Sequence, residues 1–363
     1  MAITEAQVQD LLKQTIDPTT GKDYVSSKEI KKVQVSGDDV SVEVVLGYPA
    51  RSQLEPVRQQ IEGALKSLPG VGNVSAGVSF KIVSHAVQGG VQLVPGVRNI
   101  IAVASGKGGV GKSTVAVNLA LALAAEGASA GILDADIYGP SQPMMLGIQG
   151  QRPTSPDGKA LAPMVAHGVQ AMSIGFLIDM EQPMVWRGPM VTQALEQLLR
   201  DTQWKDLDYL IVDMPPGTGD IQLTLAQKVP VTGAVIVTTP QDIALLDARK
   251  GLKMFEKVKV PILGIVENMS THICSNCGHE EHVFGAGGGE KMAREYGITV
   301  LGSLPLDIRI REQADSGNPS VVADPDSPAA KTYREIARKV AVQIAEKAKD
   351  FSAAFPKIVI KNT

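Results

Sequence analysis

From Asn99 onward the chain is punctuated by short runs in which nearly every position is apolar. They are NIIAVAS (99–105), SAGILDAD (129–136), DYLIVDMP (208–215), TGAVIVTTP (232–240) and PILGIVENM (261–269). Each ends at Gly, Pro, Asp or Asn, and a segment of helical periodicity follows, as in STVAVNLALALAAEG (113–127). A strand with one wet face alternates. These runs do not, so they predict strands of a parallel sheet covered by helices on both faces. The first 85 residues have another rhythm. EAQVQDLLKQTI sets Val8, Leu11, Leu12 and Ile16 on one helical face, and DDVSVEVVL alternates as a half-buried strand. SQLEPVRQQIEGALKSL reads as a second helix and NVSAGVSFKIV as a further strand.

The resulting organisation is a small α+β domain (1–85), a linker (86–98), an α/β domain (99–350) and a tail (351–363). The linker is rich in Gly and Val and almost without charge. The α/β domain closes on an amphipathic helix, AAKTYREIARKVAVQIAEKAKDF.

Composition narrows the partners. With 44% hydrophobic and 20% charged residues among 363, the chain reads as an ordinary globular protein. A net charge of −3 gives no reason to expect a nucleic-acid partner. No 18-residue apolar run is present and the N-terminus lacks a signal-peptide core, so no membrane partner is expected. Two cysteines suit a reducing compartment, and the expected location is the cytoplasm.

The strongest chemical signal is SGKGGVGKST. Gly106, Lys107, Gly108, Gly109, Val110, Gly111, Lys112, Ser113 and Thr114 satisfy the phosphate-loop spacing, with a strand before and a helix after. Glycines let backbone N–H groups turn toward phosphate oxygens, and the helix N-terminus adds its positive end. Lys112 is expected at the β- and γ-phosphates of ATP, and the Ser113 hydroxyl on Mg²⁺. Asp213 ends DYLIVD, where a carboxylate can hold Mg²⁺ through water. The fold class is therefore a parallel-sheet P-loop NTPase with a small N-terminal α+β domain.

Lys107, directly after the first glycine, resembles the deviant phosphate loop of the nitrogenase iron protein and of septum- and plasmid-positioning ATPases. That resemblance implies a lysine reaching across a dimer interface to the partner's nucleotide, a catalytic role shared with Lys112. It further implies that Asp136 orients the attacking water or contacts Mg²⁺, and that Asn268 reads the adenine. Asp134 has the plainer reading of a strand-end carboxylate.

The cysteines are Cys274 and Cys277, within THICSNCGHEEH. Two thiols cannot complete an all-sulfur tetrahedron. Zinc held with His272, His279 or His282 is one reading. A redox pair and inert thiols are others, though the polar flanks argue for exposure. At this point the chain resembles the Mrp (ApbC-like) family of iron–sulfur cluster carrier proteins. The motifs are SGKGGVGKST, DADIYGPS, VWRGPM, DMPPGTGD, TTPQDIAL, ENMS and CSNCGHEEHVFGAGGG. The resemblance spans residues 99–350, and more weakly the first 85 resemble an iron–sulfur assembly domain, here without a cysteine.

The resemblance implies that Cys274 and Cys277 of two subunits hold one labile [4Fe–4S] cluster, delivered to apo iron–sulfur proteins and received from cluster scaffold proteins. The homodimer would be slow in ATP hydrolysis, with hydrolysis coupled to transfer. The alternative is a positioning ATPase acting on a membrane or DNA surface, its cysteines holding structural zinc. Arg187 of VWRGPM carries no assigned role.

Overall fold

The computed structural model describes residues 3–88, 91–155, 158–178, 188–274 and 276–354. Trp186, Arg187 and residues 355–363 lie outside the described residues. The chain separates into two compact units, Met1–Val83 and Ser84–Thr363.

The first unit runs α1 (Glu5–Leu12), β1 (Ile30–Ser36), β2 (Asp39–Leu46), α2 (Leu54–Leu65) and β3 (Val74–Phe80). β2 is central, antiparallel to β1 and parallel to β3. Its alternation buries Val40, Val42, Val44 and Leu46, and α2 buries Val57, Ile61 and Leu65 at intervals of four. α1 opens on a reciprocal cap in which Gln7 N donates to Thr4 Oγ1 (3.3 Å) and Thr4 N donates to Gln7 Oε1 (3.0 Å). Its buried residues are Val8 and Leu12. Ile16, expected on the same face, lies past the helix end and is 45% exposed. There the backbone has already turned to bridge Asp23.

The second unit begins with β4 (Val97–Ala104), α3 (Lys112–Ala125), β5 (Ala130–Asp134) and α4 (Gln142–Met145). β6 (Met164–Ala166), β7 (Val169–Ser173), α5 (Gly188–Asp201), β8 (Leu207–Asp213) and α6 (Asp220–Lys228) follow. Next come β9 (Gly233–Thr238), α7 (Asp242–Lys257), β10 (Ile262–Glu267), β11 (His272–Ile273) and β12 (Glu280–Glu281). The unit closes with α8 (Gly288–Tyr296), β13 (Val300–Ser303), α9 (Ile308–Asp315), α10 (Ser320–Ala323) and α11 (Pro328–Ala354).

Among the described residues the main sheet has the order β13-β10-β9-β4-β8-β5-β7-β6. Every neighbouring pair is parallel except β6 and β7, which turn tightly through His167 and Gly168, both at positive φ. β9 is buried at every position. α3 is buried almost all round, from Val115 to Leu123, because the sheet covers one side and α11 the other. Gln88 Nε2 donates to the carbonyls of Ala226 and Val229 (2.9 Å each), and Val94 is buried, so the 86–98 stretch is fastened to this unit at those points. Among the described residues no helix is long and apolar enough to cross a membrane.

The topology fixes where chemistry can sit. β4 leads through α3 to β5 on one side, and β8 leads through α6 to β9 on the other. The order reverses at β4, and the crevice beyond its carboxyl end is where open α/β sheets bind ligands.

Candidate functional site

The 105–111 loop leaves β4 at that reversal and enters α3. Gly109 and Gly111 have φ of +81° and +80°, a left-handed backbone that suits glycine. Gly106 is required for another reason: a Cβ there would lie 2.1 Å from the Asp247 carbonyl carbon, so the loop is wedged against α7. α3 starts at Lys112 with Gly111 as a cap that offers no side chain, which leaves the helix end suited to an anion. Gly217 N donates to Ser105 O (3.0 Å), tying the MPPGTGD loop to the phosphate loop. Lys107 is half-buried, with its carbonyl accepting from Ser105 Oγ (2.8 Å).

Beneath the loop the charged groups interlock. Lys112 Nζ donates to Ser113 Oγ (3.0 Å) and pairs with Asp213 Oδ1. Asp213 is fully buried, and its Oδ2 accepts from Gln142 Nε2 (2.9 Å). Asp134 is fully buried too. It accepts from the backbone N–H groups of Asp136 (3.2 Å), Ser141 (3.0 Å) and Gln142 (3.0 Å), and from Ser173 Oγ (3.1 Å). Burial, and then the charge of Asp213, pushes the Asp134 carboxyl up to about 7. Burial also raises Asp136, which stands half-buried at the start of the following loop. The residues fit a hard cation: the Ser113 hydroxyl and the Asp213 carboxylate converge on one ammonium, so both oxygens face the same small volume.

Asn268, expected at the adenine, lies against the phosphate loop. Its Nδ2 donates to Val110 O (2.9 Å), the residue is 7% exposed, and a Cβ at Gly111 would meet that nitrogen at 2.2 Å.

The cysteines sit on a separate two-stranded hairpin, β11 with β12, pairing His272 with Glu281 and Ile273 with Glu280. At its tip Cys274 N donates to His279 O and Gly278 N to Cys274 O, both at 2.9 Å. Cys274 is half-buried and Cys277 exposed. The backbone N–H of Cys277, and then that of Asn276, lowers the Cys274 thiol by favouring its thiolate. Among the described residues no three His, Cys, Asp or Glu side chains converge as a metal site. The nearby imidazoles turn to backbone, His272 Nδ1 to Leu306 O (3.1 Å) and His282 Nδ1 to Ser270 O (2.9 Å).

The hairpin root is stitched to the sheet's end, with Ser270 N donating to Leu304 O (2.9 Å) and Leu306 N to Thr271 O (2.7 Å). A cavity of about 580 Å³ opens beside that root, between Ile273, Pro305, Ile308 and Pro328. Sequence reasoning missed Gln142. A glutamine near a helix start carries no motif, and only the folded chain brings it to Asp213.

A parallel sheet with a glycine loop at its switch point, and a Lys-Ser pair opening the next helix over a buried aspartate, defines a P-loop NTPase. The chain belongs to the ParA family of NUBPL iron-transfer P-loop NTPases, which matches residues 96–341. The iron-sulfur cluster assembly protein family matches residues 5–76. The iron-sulfur cluster carrier protein of Haemophilus influenzae is 54% identical over 338 residues, covering 93% of this chain and 91% of its own. That of Escherichia coli is 53% identical, covering 90% and 89%. The mouse iron-sulfur cluster transfer protein NUBPL is 54% identical, covering 66% and 76%. Among solved structures, a nucleotide-binding protein of Archaeoglobus fulgidus in complex with ADP superposes with a TM-score of 0.57 at 38% identity. That match covers 65% of this chain and 91% of the other. The cell division ATPase MinD of Pyrococcus furiosus shares the fold, with a TM-score of 0.50 at 23% identity over 67% of this chain and 98% of its own.

Proposed function

We propose that the chain is an ATP-dependent carrier of iron–sulfur clusters, holding a labile [4Fe–4S] cluster as cargo between two copies of itself. The observation that carries this reading is the Cys274–Cys277 turn: two accessible thiols, with no described His, Asp or Glu side chain grouped with them as a third ligand. Such a cluster takes four thiolates, which two chains supply. The names of the relatives point the same way. The cargo would pass from scaffold proteins to apo iron–sulfur proteins in the cytoplasm.

In the nucleotide site Gly106 to Thr114 would cradle the phosphates of ATP, with Lys112 leaving Asp213 for the β- and γ-oxygens. Ser113, and Asp213 through water, would hold Mg²⁺, which neutralises charge on those phosphates. Asp136 would orient the attacking water, and Lys107 would reach the partner's nucleotide. Asn268 would read the adenine while bracing Val110. Nucleotide state would bias how the two subunits dock, and so how tightly four thiolates grip the cargo.

A positioning ATPase is not favoured. Its membrane anchor would have to be the apolar face of α11, but Tyr333, Ile336, Ala337, Val340, Ala341 and Ile344 are already buried within the unit.

The test is anaerobic reconstitution of the wild type and the Cys274→Ala, Cys277→Ala double variant, with iron, sulfide and zinc assayed. About four irons and four sulfides per wild-type dimer, absent from the variant, is the expected result. One tightly bound zinc per chain with no sulfide would overturn it.

A further inference from the structure

Two buried side-chain atoms at the start of α4 have no hydrogen-bond partner, Gln142 Oε1 and Ser141 Oγ of the preceding cap residue. Gln142 is 1% exposed, and it is the more informative of the two because its other end is fully committed. Nε2 donates to Asp213 Oδ2 (2.9 Å) and to Ser113 O (3.2 Å), which uses both N–H bonds of a primary amide. The backbone is fixed as well, since Asp134 Oδ2 accepts from the N–H groups of Ser141 and Gln142. The carbonyl end of the amide is therefore held beside the residues that would hold the cation, and a buried acceptor in a native fold calls for a donor. The cationic donor that shares Asp213 with Gln142, Lys112 Nζ, is engaged with Asp213 and Ser113. A donor of suitable size is water. A water polarised by a divalent cation donates strongly, and a neutral amide accepts from it without adding a charge next to Asp134 and Asp213.

Resting on the nucleotide reading above, we propose that Gln142 is a positioning residue for the nucleotide's Mg²⁺. Nε2 clamps the Asp213 carboxylate, and Oε1 accepts from a water of the cation's hydration shell. The clamp has a definite use. Lys112 holds Asp213 by Oδ1, Gln142 by Oδ2. When the ammonium transfers to phosphate, the second bond keeps the carboxylate from rotating away.

Two variants separate this role from packing. Gln142→Met keeps length and volume but removes donor and acceptor; Gln142→Glu keeps the shape and the acceptor, exchanges the amide donor for an oxygen and adds a charge. The readout is binding of a fluorescent ADP analogue, first in EDTA and then titrated with Mg²⁺. In EDTA the Met variant should bind within about twofold of wild type, while its half-maximal Mg²⁺ concentration rises about tenfold, as loss of one hydrogen bond implies. For Gln142→Glu that concentration should fall below wild type, because a further carboxylate faces the cation. Mg²⁺ midpoints unchanged in both variants, or moved the same way, would overturn the proposal. If Gln142→Met does not fold, Gln142→Asn withdraws the amide by one methylene and must raise the midpoint too. A wild type that binds no analogue under any condition would reveal itself in the control, and would remove the nucleotide reading and this inference together.

Discussion

Lys112 and Asp213 form an ion pair under the phosphate loop in which the lysine side chain is 6% exposed and the aspartate not at all. Breaking such a pair strands a charge in a medium that solvates it poorly, and removing one partner costs about 3–5 kcal/mol. Lys112→Met and Asp213→Asn should each lower the denaturation midpoint substantially. The double variant should recover part of the loss while binding no ATP. A double variant as unstable as the sum of the singles would show that the two residues are not coupled.

Gly106→Ala should act through shape alone. The added methyl would collide with the α7 backbone at Asp247, and overpacking of this kind costs about 1–3 kcal/mol. The loop must lift away from α7, so ADP affinity measured by calorimetry should fall with it. Unaltered affinity would mean that the wedge has no part in shaping the loop.

Lys107→Ala should leave stability within about 0.5 kcal/mol, since the side chain stands half-buried at the loop's rim. If it acts on the partner's nucleotide as a cationic finger, phosphate release should drop by about 10³ or more. ADP affinity should hardly change. Full turnover in this variant would end the trans-acting role.

The Cys274 thiol is lowered by the N–H groups of Cys277 and Asn276, so its thiolate persists to lower pH than in an unfolded chain. Alkylation by iodoacetamide, followed by mass spectrometry across pH, should show a native inflection below that found in urea. The opposite order would mean that the turn does not favour the thiolate.

Asp134 moves the other way. Its carboxyl is raised to about 7, so the folded chain keeps a proton that the unfolded chain releases near the ordinary carboxylate value of about 3.9. The stability contributed by that proton is complete below the unfolded value and is lost as pH rises through the folded one. Urea midpoints should therefore fall between about pH 4 and 7, and Asp134→Asn should flatten that slope. A wild-type midpoint that rises over this range would contradict the assignment.

Much of the second unit was legible because its strands are buried on both faces. NIIAVA and GAVIVT leave no alternation to misread, and the phosphate loop is legible because few residue types can line phosphate oxygens. β6 and β7 were not: MVA and VQAMS are short, and their pairing rests on the turn at His167 and Gly168. Helix α1 stops before Ile16 although the apolar spacing runs on, since periodicity marks a face and not where a helix ends. Gln142 and Asn268 show a further limit. Gln142 meets Ser113 across 29 residues and Asp213 across 71, and Asn268 meets Val110 across 158. Such pairings are created by the topology of the sheet, and nothing in the sequence marks either pairing.

The brace at Asn268 also sets a length scale. In sequence the phosphate loop and the thiols lie more than 150 residues apart, yet from the side chain that grips Val110 to Cys274 the chain runs only six residues. Fully extended, that is a tether of about 20 Å. A displacement of the loop thus has a short leash to the sulfur atoms, with Ser270 and Thr271 pinned along the way to the strand-end carbonyl and amide of Leu304 and Leu306.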